Sequence, residues 1–96
     1  MIKQTLNDIL TICCEEFGVS KDDVRSPSRC QEFVYCRKAF CLIVKEKFDL
    51  KYQTIGDVIN RSITQTSSSI SKQPNDKFYT FVLARIRKRV HPLTFR

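Results

Sequence analysis

Glycine and proline are scarce in this chain, two and three among 96 residues, and tryptophan is absent. With so few turn formers and only short β-branched runs, the expected fold is all-α rather than a sheet. No stretch approaches the ~18 consecutive apolar residues of a membrane span, and no targeting segment is recognisable. The five cysteines include no Cys-x-x-Cys pair, and the single His91 stands far from them. That excludes a zinc pattern and reads as free thiols in a reducing cytoplasm. Cys36 and Cys41 fall inside an apolar helical pattern, where cysteine acts as a small hydrophobe. No nucleophile with an adjacent base, no paired acids at useful spacing and no Gly-rich phosphate loop can be found. Neither an enzyme nor a cofactor or metal site is therefore expected.

A hydrophobic fraction of 42% in 96 residues suffices for one small domain with its own core. The net charge of +7 is unevenly spread. Residues 1–24 hold two lysines against five acids, net −3, and residues 25–96 hold fifteen Lys and Arg against five acids, net +10. This asymmetry is the footprint of a face turned to a polyanion.

Six helices are expected. Leu6, Ile9, Leu10, Cys13, Cys14 and Phe17 recur at helical spacing over about Thr5 to Phe17, with Gly18 as a stop. Ser20 followed by Lys21-Asp22-Asp23 opens a short second helix, and Arg25 to Arg29 forms a loop around Pro27. The third and longest helix runs from about Cys30 to Lys47, with Phe33, Cys36, Phe40, Ile43, Val44 and Phe48 inward. Arg37, Lys38 and Lys45 lie off that stripe, and Lys38 and Lys45 share a face. A fourth helix covers about Gln53 to Ile59, and Asn60 to Ile63 turns the chain. Asn75 is placed to cap the last helix, Asp76 to Val90, whose apolar face is Phe78, Phe81, Val82, Ile86 and Val90. Arg85, Arg87, Lys88 and Arg89 put positive charge in its last turns, suited to the helix dipole and to DNA. Residues 91–96 are expected to be a flexible tail.

The polar run Thr64 to Lys72 is the most informative part of the chain. As a helix it has only Ile63 and Ile70 to pack with, and it otherwise presents Thr64, Gln65, Thr66, Ser67, Ser68, Ser69 and Ser71. These side chains are short, uncharged and hydrogen-bonding, so such a helix can approach phosphates and base edges closely. A short helix, a tight turn and this second helix, on a basic chain, read as a helix-turn-helix.

The residues also carry a family likeness. Gln31-Glu32-Phe33-Val34-Tyr35-Cys36-Arg37-Lys38, then Val44-Lys45-Glu46, then Leu50-Lys51-Tyr52-Gln53-Thr54-Ile55-Gly56 follow, without a gap, the order of motifs in one known domain. Phe17 to Asp23 and Asp76-Lys77-Phe78 fit the same order. The chain resembles the C-terminal DNA-binding domain of the bacterial replication initiator DnaA, a Trp-repressor-like helix-turn-helix.

The resemblance implies double-stranded DNA as partner and no membrane or small-molecule substrate. It implies a cytoplasmic, nucleoid-associated place. Nothing in the chain supplies ATP binding, so the expectation is a free-standing regulator of replication or transcription, or a fragment of a larger protein. The resemblance places a minor-groove arginine on Arg29, a helix-start arginine on Arg37 with its neighbour on Lys38, and a phosphate-binding lysine on Lys45.

The family signature Gly-Gly-Arg-Asp-His-[Thr/Ser]-Thr-Val falls on Asn60 to Ser67. Its Asp lies on Ile63, its His on Thr64, and one Thr is kept as Thr66. A shift by one residue puts its Arg on Arg61. The expected DNA contacts are thus Arg29, Arg37, Lys38, Lys45, Arg61, Thr64, Gln65, Thr66, Ser69 and Lys72, with altered site specificity. Gln65 is the candidate for a bidentate contact to adenine. The alternative is a protein-interaction module that kept the fold and lost DNA reading, which the missing Asp-His pair favours.

Overall fold

The structure is a computed structural model that describes residues 2–91, with side chains from residue 4. It contains six helices and no strand among the described residues: α1 (Ile2–Phe17), α2 (Lys21–Arg25), α3 (Gln31–Phe48), α4 (Tyr52–Ile59), α5 (Ile63–Ser71) and α6 (Lys77–Val90). The expected tail falls, beyond His91, outside the described residues. None of these helices is long and apolar enough to cross a membrane.

Local sequence accounts for most boundaries. Gly18 (φ 70°) follows the end of α1, where the left-handed region favours glycine. The Ser20 hydroxyl accepts from the Asp23 amide and the Asp23 carboxylate accepts from the Ser20 amide, a capping box that starts α2. Asp49 (φ 51°) and Asn60 (φ 57°) end α3 and α4 in the left-handed conformation, which short polar side chains tolerate. The cap of α6 is Asp76 rather than Asn75, because its carboxylate accepts from the Tyr79 amide at 2.9 Å. Cys30 begins α3 without any side-chain cap.

α3 is the central element and packs against every other helix. The predicted stripe of α1 is wholly buried, from Leu6 to Phe17, and meets Cys36, Phe40, Ile43 and Val44 of α3 in a single core. Ile55 and Ile59 of α4 join it.

The apolar face expected for α6 needs correction. Phe78 and Phe81 are exposed, while Tyr79 and Leu83 are buried beside Val82, Ile86 and Val90. Tyr79 wins the inward position because its ring meets Tyr35 edge-on at 5.2 Å and Phe17 at 6.2 Å. Its hydroxyl also donates to the Gln73 side chain, so the polar tip is satisfied. Phenylalanine would gain nothing from that partner.

The charge asymmetry of the sequence also resolves differently. Glu16 pairs with Arg85 and Arg89 at 2.8 and 2.9 Å, Glu15 with Arg89 at 2.6 Å, and Glu46 with Arg87 at 2.9 Å. The acidic end of α1 pairs with Arg85 and Arg89, and Glu46 of α3 with Arg87, so these three arginines are not a free cationic face.

Candidate nucleic-acid interface

The turn between α4 and α5 is built on a close approach. A Cβ added to Gly56 would lie 2.5 Å from the Arg61 carbonyl oxygen and 2.6 Å from the Thr66 hydroxyl. Only glycine lets the Arg61 amide donate to the Gly56 carbonyl at 2.9 Å while α5 stays seated. Thr66 is fully buried, and its hydroxyl donates to the Ser62 carbonyl at 2.9 Å. Its expected DNA contact is therefore corrected: Thr66 locks the two helices of the motif together.

Ser62 caps α5. Its hydroxyl accepts from the Gln65 amide, and the Gln65 carboxamide oxygen accepts from the Ser62 amide at 3.0 Å, closing a capping box. The Ser-x-x-Gln spacing is legible in the sequence. It turns the Gln65 side chain back onto its own helix and occupies the acceptor that a bidentate adenine contact needs. Gln65 still lines the interface, with its amide nitrogen free of any protein bond among the described residues.

α5, the loop after α2 and the first turns of α3 enclose an open groove of about 790 Å³. Arg25, Pro27, Ser28 and Arg29 form one wall, Val34, Arg37 and Lys38 the floor, and Asn60, Arg61, Thr64, Gln65, Ser68 and Ser69 the other wall. Five of these residues are Lys or Arg and none is acidic. Such a cluster is repulsive in the free protein. Burial first, and Arg61 second, lower the Arg37 pKa; burial first, and Lys72 second, lower that of Lys38. An approaching polyanion relieves both repulsions.

The expected cations separate into two groups. Arg37 is buried, 6% exposed, contrary to its assignment off the inward stripe. Its guanidinium donates to the carbonyls of Val24 at 2.7 Å, Ser26 at 2.8 Å and Asp23 at 3.3 Å. Arg61 donates to the carbonyls of Asn60, Ile59, Arg25 and Ser26. Arg25, outside the expected set, donates to the Val58 carbonyl at 2.9 Å and to the Asn7 side chain at 3.3 Å. These three arginines fasten the loop wall to α3 and α4.

Arg29 is exposed on the loop, and Lys38 is half-buried, with its ammonium on the Lys72 carbonyl at 2.8 Å. Lys72 itself is exposed at the end of α5. Thr64 and Ser69 of the expected contact set line the groove, together with Ser68 and Asn60, which lie outside that set.

Lys45 is not among the residues that line the groove. It pairs with Asp49 at 3.0 Å, donates to the Leu50 carbonyl at 3.1 Å, and lies over the Tyr52 ring at 4.9 Å. It closes the end of α3 onto the start of α4.

A short helix, a glycine-tight turn and a polar second helix beside an acid-free basic groove define a helix-turn-helix domain of the nucleic-acid-binding class. The model of the bacterial dnaA protein helix-turn-helix matches residues 6–72, more than two thirds of the chain, and the chain belongs to that family. The match takes in α2, α3, α4 and α5 and most of α1, and it stops before α6. Within the motif, the kept glycine and threonine, Gly56 and Thr66, are the buried packing pair. Ile63 and Thr64, on which the ungapped reading of the family signature places its Asp and His, are exposed.

Proposed function

We propose that this domain binds double-stranded DNA as a non-catalytic regulator of replication or transcription, at a site different from the usual initiator box. α5 enters the major groove by its first two turns. Arg29 reaches the adjoining minor groove from the loop, and Lys38 and Lys72 neutralise phosphates at the far end of α5. The observation that carries this reading is the acid-free basic groove running along α5 in a chain of the DnaA helix-turn-helix family. The altered site rests on the exchange of the family's Asp and His for Ile63 and Thr64.

A protein-docking role is the second reading, favoured by Phe78 and Phe81, 56% and 60% exposed on α6 beyond the family match. Titration of random duplex DNA at rising salt separates the two. Affinity that falls steeply and linearly in log–log form supports the DNA reading, and no binding at low salt overturns it. Selection from a random duplex pool then gives the preferred site.

A further inference from the structure

The first turn of α5 offers few side chains to a reader of bases. Ser62 and Gln65 are joined in the capping box, and Thr66 is fully buried. Two residues remain whose side chains project and make no protein hydrogen bond among the described residues, Ile63 and Thr64. Ile63 is 53% exposed and stands apart from the hydrophobic core, whereas Ile70, one heptad on, packs against it. The sequence pattern pairs the two isoleucines as the anchors of this helix; only Ile70 holds it.

Ile63 opens α5 between exposed Ser62 and Thr64, about half outside the fold and apart from the core. In a helix-turn-helix the N-terminal residues of the second helix meet base edges in the major groove. There the single apolar feature of the four bases is the 5-methyl group of thymine. α5 carries no charged residue from Ile63 to Ser71, so no long cation holds the helix away from the groove floor.

We propose that Ile63 is a specificity-determining residue that contacts a thymine 5-methyl group, giving this domain a preference for thymine where the family's signature has an aspartate. This rests on the DNA-binding reading above. Thymine is selected because only that base removes its methyl group and the exposed Ile63 surface from water together.

The test uses duplexes selected by the protein from a random pool and compares each with copies in which one thymine at a time is replaced by uracil. Uracil deletes the methyl group and leaves every hydrogen-bonding edge unchanged. One position is expected at which uracil weakens wild-type binding about three- to fivefold, the effect of burying a single methyl group. Ile63→Ala is expected to bind the thymine and uracil duplexes equally at that position and to keep its salt-dependent affinity for random DNA. Equal wild-type affinity for thymine and uracil at every position overturns the proposal while leaving DNA binding intact. So does an Ile63→Ala protein that retains the thymine preference. Absence of wild-type binding to any duplex at low salt overturns the DNA reading and this inference together.

Discussion

Arg37 on α3 and Arg61 on the turn before α5 donate to one acceptor, the carbonyl oxygen of Ser26. Two like charges meet over a single backbone oxygen, and the loop that carries Arg29 hangs from that junction. The loop wall of the groove is therefore positioned by arginines that do not themselves face solvent freely.

Replacing Arg37 should unfold the domain's architecture before it touches binding. Arg37→Ala removes three donors from loop carbonyls, and charge-assisted bonds of this kind imply a drop of about 2–4 kcal/mol in urea-induced unfolding. Arg37→Lys is expected to recover little, because one ammonium cannot span three separate carbonyls as a guanidinium fork does. Recovery of wild-type stability by lysine would show that charge alone matters there.

Gly56→Ala tests the turn. The added methyl meets a backbone oxygen at 2.5 Å, which cannot rotate away as a side chain does. A destabilisation of about 3 kcal/mol, at the upper end for overpacking, is expected in thermal melts. A melting temperature equal to wild type would mean that α4 and α5 are not held as close as described.

Arg29, Lys38 and Lys72 are the cations placed for phosphate. Substituting all three by alanine should weaken binding to every duplex alike. It should also flatten the slope of log affinity against log salt by about 0.9 for each phosphate that is no longer neutralised. Lys45→Ala should leave that slope unchanged, since its charge is already paired with the Asp49 carboxylate. A slope that responds to Lys45 and not to the other three would relocate the interface.

Gln65 closes the capping box of α5 and also lines the groove, and one substitution tests the two separately. Gln65→Glu keeps the capping box, in which glutamate serves as well as glutamine, so stability should stay near wild type. The new carboxylate faces a groove with no other acid and should lower affinity for all duplexes. Ser62→Ala, by contrast, should cost about 1 kcal/mol of stability by removing the cap. Tight DNA binding by Gln65→Glu would remove Gln65 from the interface.

Acid should loosen α6 first. Hydrogen bonds from Arg85 and Arg89 hold the Glu16 carboxyl below its ordinary value of 4.5. A depressed folded-state value means that stability is fully present above pH 4.5 and is lost as pH falls through the lowered value. Glu16→Gln should give a flatter decline over that window than wild type, followed by denaturant midpoints at stepped pH. Identical declines would show that the pair contributes nothing to the acid response.

Much of the fold was legible because helical spacing and caps are local. The stripe of α1 from Leu6 to Phe17, the stop at Gly18 and the Ser20 cap follow from neighbours a few residues apart. The face of α6 did not follow, since Phe78 and Tyr79 differ by one hydroxyl whose partner, Gln73, is recruited by the turn before the helix. The candidate site was half legible for the same reason. Lys38, Thr64, Gln65 and Ser69, named from the sequence, line the groove.

The sequence by itself determined that there would be six helices, a glycine at the turn, a hydroxyl-rich α5 and an excess of positive charge after residue 24. Only the tertiary structure decided which charges remain free for a partner. Spacing along a helix says which residues share a face, but it does not say what lies opposite that face. Arg37 found the bare carbonyls at the end of α2, Arg85 and Arg89 found Glu16, and Thr66 found the hollow over Gly56. The Arg37 contacts satisfy a buried guanidinium, the Glu16 pairs are ion pairs at the surface between segments far apart in sequence, and Thr66 fills the space that Gly56 leaves open. Arg29, Lys38 and Lys72 are left around α5 because no acid lines the groove beside it.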